Sequence, residues 1–498
     1  MAIRYRTWLA VLAVLVIGAS ACGDDAEPAA TQEQPSAAEQ PSDASSSAQD
    51  SADAAEPTDA DPEPEAPEPE GPAGDVRWFI GLGTGTSAEQ VEVQEQVVAA
   101  FTDIHDGIDV DLEIVGFEAS RDTLSTEIAS GNPPDVLGPV GILGAAAFQD
   151  EWLDLTPLIE QSGYDVSQFD PASLEVFAAG GEGLYGIPIA LYPSMVFYNT
   201  ALFDEAGLNY PPQQYGDPYV WPDGTEAEWS FDTYREVAMR LTVDANGLDA
   251  TQNGFDPDQI VQYGFDLPWA DVRYVGNYFG AGTFIGDDGE TAVVPDQWLD
   301  GWRWYYDGIW VDHFIPSAQV RQSADFGSGE PFAVGRAATT LSHLWYTGSL
   351  FDLDGWDIAA VPSHKGVTTS NLHADTFRIL KGSDAPEAAF EFLTYAVGEA
   401  AGELVPIYGG MPALASEQAA WSGTMSELWP HGVNWQVAID GVQFADSPNN
   451  EAWLPRTNES LDYLFTVISR WQTTPGLDMD AEAATVASDL QALWDQDS

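Results

Sequence analysis

Six histidines, one cysteine and 81 carboxylates set the range of chemistry open to this 498-residue chain. The histidines are scattered, and no two stand at the four-residue helical spacing that would hold zinc. The single Cys22 excludes an intramolecular disulfide and a thiolate metal cluster. No Gly-x-Ser-x-Gly, no His-Glu-x-x-His and no phosphate loop ending in Gly-Lys occurs. The run Gly81-Leu82-Gly83-Thr84-Gly85 lacks the spacing of a dinucleotide fingerprint. Carboxylates are abundant enough for glycoside hydrolysis, but no motif selects two of them. A secreted glycosidase therefore stays only as the enzyme-class alternative. The chain reads as a non-enzyme with no cofactor.

Two loops carry oxygen-rich chemistry. Asp244-Ala245-Asn246-Gly247-Leu248-Asp249 sets oxygens at alternate positions, as a calcium loop would. It lacks a third side-chain oxygen and the late bidentate glutamate, so an Asx-type turn is the default and no metal is assigned. Thr84 and Thr86 offer hydroxyls on a loop that follows an apolar run. They suit hydrogen bonding to a polyol, or capping of the helix that follows.

The surrounding elements read as alternating strands and helices. Arg77 to Gly81 is an apolar run ending in glycine. Val91, Val97, Val98 and Phe101 recur at helical spacing after the N-cap candidate Ser87. Residues 109–115 alternate polar and apolar, as a strand does. A helix over 120–130 stops at Gly131-Asn132-Pro133-Pro134, and Asp135-Val136-Leu137 forms a third strand. This β-α-β-α-β order predicts an α/β fold with mostly parallel sheets and helices on their faces. Ligands of such sheets lie beyond the carboxyl ends of the strands.

Composition narrows the partners. The formal charge is −66, which argues against nucleic acid, since phosphate binding needs a basic surface. Residues 1–22 run from Arg4 and Arg6 through an apolar stretch to small residues and Cys22. They resemble a bacterial lipoprotein signal, with Ala19 where an aliphatic residue is usual. The resemblance implies a lipid on Cys22 and a place at the outer face of a cytoplasmic membrane. Residues 23–75 hold 16 acidic groups and no basic or aromatic residue, the composition of a disordered tether. From 76 onward there are 65 acidic and 13 basic residues, a net of −52. That excess suits a salt-rich, halophilic habitat. No internal repeat is apparent, and the body reads as a monomer.

From about Trp78 onward the chain resembles bacterial solute-binding proteins of the carbohydrate-uptake type, the receptors of ATP-driven importers. The resemblance is carried in order by Gly131-Asn132-Pro133-Pro134-Asp135-Val136, Leu184-Tyr185-Gly186-Ile187-Pro188, Val196-Phe197-Tyr198-Asn199 and Trp229-Ser230-Phe231. It continues in Phe332 to Ala338, in Ala385-Pro386-Glu387-Ala388-Ala389-Phe390, and in Gly410-Met411-Pro412-Ala413. It implies a two-lobe periplasmic-binding-protein-like fold crossed about three times, near 187–192, 359–362 and 409–413. Lobe one would be 76–188 with 362–410, and lobe two 190–358 with 413–498. Lobe closure on a solute is what a membrane permease would sense.

The same resemblance implies the contacts. Sugars present apolar ring faces and a rim of hydroxyls, so their sites need aromatic platforms and fixed polar groups. Trp345 matches the stacking aromatic, with Trp269 as a second platform. Tyr192 follows the first crossing. His373 and Asp375 follow the second, and Met411 lies at the third. Thr84 and Thr86 would add hydroxyls from lobe one. Leu137-Gly138-Pro139-Val140-Gly141 stands where the family often has polar or aromatic contacts. The implied ligand is a mono- or oligosaccharide. A peptide, polyamine or phosphorylated polyol is the alternative.

Overall fold

The computed structural model describes residues 72–169, 174, 183–268 and 270–496. The signal stretch with Cys22, the tether as far as residue 71, and Trp269 lie outside the described residues. Among the described residues no helix is long and apolar enough to cross a membrane.

Ten strands make one mixed sheet: β1 Gly74–Ile80, β2 Ile108–Ile114, β3 Val136–Gly141, β4 Ile187–Asn199, β5 Val243–Asp244, β6 Ile260–Asp266, β7 Ala337–His343, β8 Trp356–Ala359, β9 Leu372–Ile379 and β10 Met411–Pro412. Their order is β2-β1-β3-β9-β4-β7-β6-β5, and β8 and β10 also pair with β4. The parallel pairing expected from the βα alternation holds among β1, β2 and β3, and between β6 and β7. Strands β4 and β9 add antiparallel pairs.

Local chemistry sets the first elements. Ser87 caps helix Ala88–Ile104: its Oγ accepts from Gln90 N at 3.4 Å, and the Gln90 side chain accepts from Ser87 N at 3.1 Å. Two otherwise orphaned amides are satisfied reciprocally. Val97 and Phe101 from this helix are buried, and such burial contributes about 1.5–3 kcal/mol for a side chain the size of Phe. Helix Phe117–Ser130 ends at Gly131, whose φ of 75° is unfavourable for residues with a Cβ.

Strand β4 is the spine. All 13 of its residues are buried, and its near-continuous apolar run is what a strand covered on both faces requires. Its first half pairs with β9 and β10, and its second half with β7 and β8. Two cores flank it. One gathers Trp78, Phe101, Phe392 and Leu404, and also Trp421, Trp429 and Trp435. The other gathers Tyr234, Phe265, Trp298 and Trp302, together with Trp471 and Val486 of the last two helices, Thr457–Thr473 and Met479–Trp494. The first also takes in Phe332, Ala337 and Trp356 from the β7 and β8 side, so the two cores meet along this strand.

Gly138 in the 137–141 segment, and Gly83 facing it, are explained by packing. A Cβ on Gly138 would lie 2.5 Å from the Phe377 ring, and one on Gly83 would lie 2.6 Å from the Pro139 carbonyl oxygen. The Phe377 ring excludes a side chain at Gly138, and the Pro139 backbone excludes one at Gly83.

Candidate functional site

Near the middle of β4 the two halves of the sheet meet. His373 of β9 stands opposite Tyr192, and His343 at the end of β7 stands opposite Ser194. The strands lie on opposite edges of β4, yet the two imidazoles stack with centroids 3.6 Å apart. Trp345, on the short helix Leu344–Ser349, lies nearly parallel to His343 at 5.7 Å. The result is a row of three flat rings, Trp345, His343 and His373, with Trp345 half-buried.

Hydrogen bonds orient the central ring. The Tyr278 hydroxyl donates to the Tyr274 hydroxyl at 2.7 Å, and the Tyr274 hydroxyl lies 3.5 Å from His343 Nδ1. His343 Nε2 has no hydrogen-bond partner among the described residues. Burial first, and the neighbouring His373 second, hold His343 well below the usual histidine range. Burial also lowers His373, against the opposing pull of Glu451. His373 Nε2 is 3.5 Å from Glu451 Oε1, within ion-pair reach but outside hydrogen-bond geometry.

Two residues further along β9 is Asp375. The Tyr192 hydroxyl donates to Tyr408 O at 3.0 Å and lies 3.4 Å from Asp375 Oδ2. Burial pushes the Asp375 carboxyl up to about 7; the Tyr192 hydroxyl opposes this, and Glu451 adds to it. Burial, then the charge of Asp375, pushes Tyr192 well above the usual phenol range. Asp375 pairs across β3 with Gly141, where a Cβ would sit 3.5 Å from Oδ1, so the glycine leaves that flank of the carboxyl open.

The 446–451 segment is fastened to β9 by Asp446. Its carboxylate accepts from Leu372 N at 2.9 Å, Asn277 Nδ2 at 2.7 Å and Asn450 N at 2.6 Å. This brings Asn450 and Glu451 against His373. At the other side, Thr84 is half-buried and its Oγ1 accepts from Gln90 Nε2 at 2.8 Å, while Gln90 also donates to Ile407 O at 2.9 Å. Gln90 thus ties the Thr84 loop to the segment that carries Tyr408. Thr86 is exposed.

Trp345, Tyr192, His373 and Asp375 are therefore brought together around β4, and Thr84 is linked to them through Gln90. Met411 is fully buried and pairs with Leu191 in β10. Both carboxylate oxygens of Asp244 accept N–H bonds, from Asn246 N and Leu248 N on one and Asp256 N on the other. That loop is built as an Asx-type turn. A separate cavity of about 40 Å³ beside Arg321 and Asp266 has room for water, not for a sugar.

A family model described as bacterial extracellular solute-binding protein matches residues 96–430. The chain belongs to this family. Similar solved structures include UspC of M. tuberculosis, at 22% identity and a TM-score of 0.65, covering 84% of this chain and 99% of that one. The ABC substrate-binding protein Lmo0181 of Listeria monocytogenes, solved with cycloalternan, is similar at 19% identity and a TM-score of 0.61, covering 84% and 98%. The sugar-binding protein MalE of Xanthomonas citri is similar at 16% identity and a TM-score of 0.64, covering 84% and 97%. At these identities the likeness is one of fold. A binding protein of Brucella abortus (strain 2308) is 29% identical over 148 residues, 29% of this chain. The match spans 34% of the length of that relative.

Residue-by-residue reading of this solute-binding protein missed His343, Glu451 and Asn450. His343 closes a strand of small residues with nothing local to mark it. Asn449-Asn450-Glu451 carries a signal for a turn only. Each gains meaning from a partner more than 20 residues away.

Proposed function

We propose that this protein is the receptor of an ATP-driven importer, and that it captures a mono- or oligosaccharide between its two lobes. The observation that carries the reading is the row Trp345, His343 and His373 beside the buried Tyr192–Asp375 pair. Flat rings suit the apolar face of a sugar, and a carboxylate accepts two of its hydroxyls. The sugar-related descriptions of several structural neighbours support the same ligand class. In this reading Trp345 stacks on the ligand, with Trp269 as a second platform. Asp375, Tyr192 and His373 hold hydroxyls, and Thr84 and Thr86 close the lobe-one side. Met411 packs beneath.

The proposed cycle needs no catalysis. A lipid on Cys22 and the acidic tether hold a monomeric body at the outer face of the cytoplasmic membrane. Residues 76–188 with 362–410 move against 190–358 with 413–498. The closed form docks on a permease whose ATPase subunits are separate chains.

A thermal-shift panel of sugars, peptides and polyamines tests the reading. Ligand at a hundredfold excess over Kd stabilises by about 2.7 kcal/mol. A shift with one sugar family and no turnover of that sugar is expected. A shift with peptides or polyamines alone would remove the sugar, and turnover of a glycan would make the protein a glycosidase.

A further inference from the structure

We infer that Gln90 is a positioning residue whose amide couples the Thr84 loop to the chain crossing at 409–413, so that the hydroxyl Thr84 offers a sugar and the bend at that crossing move together. The inference rests on the sugar-receptor reading above and adds to it how one lobe-one contact is set.

The reasoning starts from residue type. Gln90 is the third residue of helix Ala88–Ile104, and its Oε1 accepts from Ser87 N at 3.1 Å and from Gly85 N at 3.0 Å. Glutamate fills that capping position as well as glutamine does, and its charge suits a helix N-terminus better. In a chain with 81 acidic residues an amide stands there instead. What the amide adds is two N–H donors. Nε2 donates to Thr84 Oγ1 at 2.8 Å and to Ile407 O at 2.9 Å. Both donors and both acceptor positions of the side chain are thus used. A reversed amide would set N–H against the Gly85 and Ser87 N–H groups and C=O against Ile407 O, so the neighbours fix its orientation. Neither bond from Nε2 serves the helix cap, and capping does not account for them.

The far end of this link lies next to the crossing. Ile407 belongs to the last turn of helix Ala401–Tyr408, where carbonyls lack a partner within their own helix. Gln90 supplies that partner from another helix. One turn along, Gln94 Nε2 donates to Tyr408 Oη at 3.1 Å, and Tyr408 O accepts from the Tyr192 hydroxyl at 3.0 Å. Two glutamines on one helix face therefore grip the pair 407–408. Directly after that pair come Gly409, at a φ of 73°, and Gly410, where a Cβ would lie 2.9 Å from the Tyr192 ring. The chain then joins β4 as β10. At the near end, the bond from Gln90 occupies one side of the Thr84 oxygen and leaves its O–H to turn toward a sugar oxygen.

The test is calorimetric titration of the full chain with glucose, maltose and cellobiose, with amide hydrogen exchange over 84–87 and 409–413 followed in parallel. The variants are Gln90→Glu, which keeps the acceptors and loses both donors, and Ser87→Ala, which weakens the cap and keeps both donors. At about pH 8, Gln90→Glu is expected to bind the sugar that the native chain takes at least about tenfold more weakly. Toward about pH 5 the half-buried glutamate takes up a proton and regains one donor. The gap to the native chain at the same pH should then narrow to about threefold or less. A merely structural role would not show that recovery. Exchange over 84–87 and 409–413 should rise together in Gln90→Glu. Ser87→Ala should lower the melting temperature and leave affinity and the exchange of 409–413 unchanged. Gln90→Met, uncharged and without either function, serves if Gln90→Glu fails to fold; it should lose the same affinity at both pH values. A Gln90→Glu chain that binds like the native one, or a Ser87→Ala chain that loses as much affinity, would overturn the inference and leave the sugar-receptor reading standing. So would unchanged exchange over 409–413 in the Gln90 variants. Binding of none of the three sugars by the native chain would count against the receptor reading, and the exchange readout then decides the coupling by itself.

Discussion

His343 and His373 lie face to face at 3.6 Å, their planes 22° apart, from strands on opposite edges of β4. Two imidazoles in that position cannot both take a proton without strong repulsion, and burial already disfavours the first. Their neutral forms are favoured in the folded state. The stability they contribute is therefore present above the ordinary histidine range and lost as pH falls below it. The stack also ties together residues of two strands that flank β4.

Replacing Trp345 by Ala should weaken sugar binding by about 1–3 kcal/mol if the indole is a central stacking residue. Calorimetric titration checks it. Melting temperature should change little by comparison, because Trp345 is half-buried at the end of the ring row. A large loss of stability with unchanged affinity would make it a core residue.

Asp375→Asn should flatten the pH dependence of stability. The folded-state value of Asp375 is raised to about 7, so the folded protein holds more protons than the unfolded one between about pH 4 and 7. Stability from this group is present below that window. It is lost as pH rises through the window, by about 1.4 kcal/mol for each pH unit crossed. Asp446, also raised to about 7 by burial, leaves a second slope that the variant retains. Thermal melts of both proteins from pH 4 to 8 should converge at the acid end and separate toward neutrality.

Gly138→Ala should destabilise the protein by about 1–3 kcal/mol, since the added methyl meets the Phe377 ring at 2.5 Å and the core has to shift. Chemical denaturation measures it. Gly131→Ala, where a Cβ would meet open space, tests backbone conformation instead, because φ there is 75°.

Melting temperature should rise between low and molar salt. Residues 76–498 carry a net charge of −52, and repulsion within a compact body of that charge is relieved by screening. A melting temperature independent of salt would remove the proposed link to a salt-rich habitat.

Local signals in the sequence were strong where one element satisfies its own needs. Ser87 with the helical spacing of Val91, Val97, Val98 and Phe101, and the alternation over 109–115, place the helix Ala88–Ile104 and strand β2 to within a residue or two. Gly131 marks a helix end for the same reason. The long strand β4 was visible only as fragments, because Pro188 and Pro193 interrupt its pattern. The site was partly legible. Trp345, Tyr192, His373 and Asp375 converge, but the ring between Trp345 and His373 comes from His343, which no spacing predicts. Thr84 offered a hydroxyl by composition alone. Its coupling to Ile407 through Gln90 joins residues more than 300 positions apart.

Strand β4 has a further consequence for how the molecule comes apart. A single backbone supplies ladder partners to β9 and β10 at one end and to β7 and β8 at the other. Melting either lobe would strip half of that strand of its hydrogen bonds and expose apolar surface that both cores cover. The two lobes should therefore lose structure as one cooperative unit, with a single calorimetric transition whose van't Hoff and measured enthalpies agree. Under the proposed function, the movement that admits a ligand would be a bend within an intact strand.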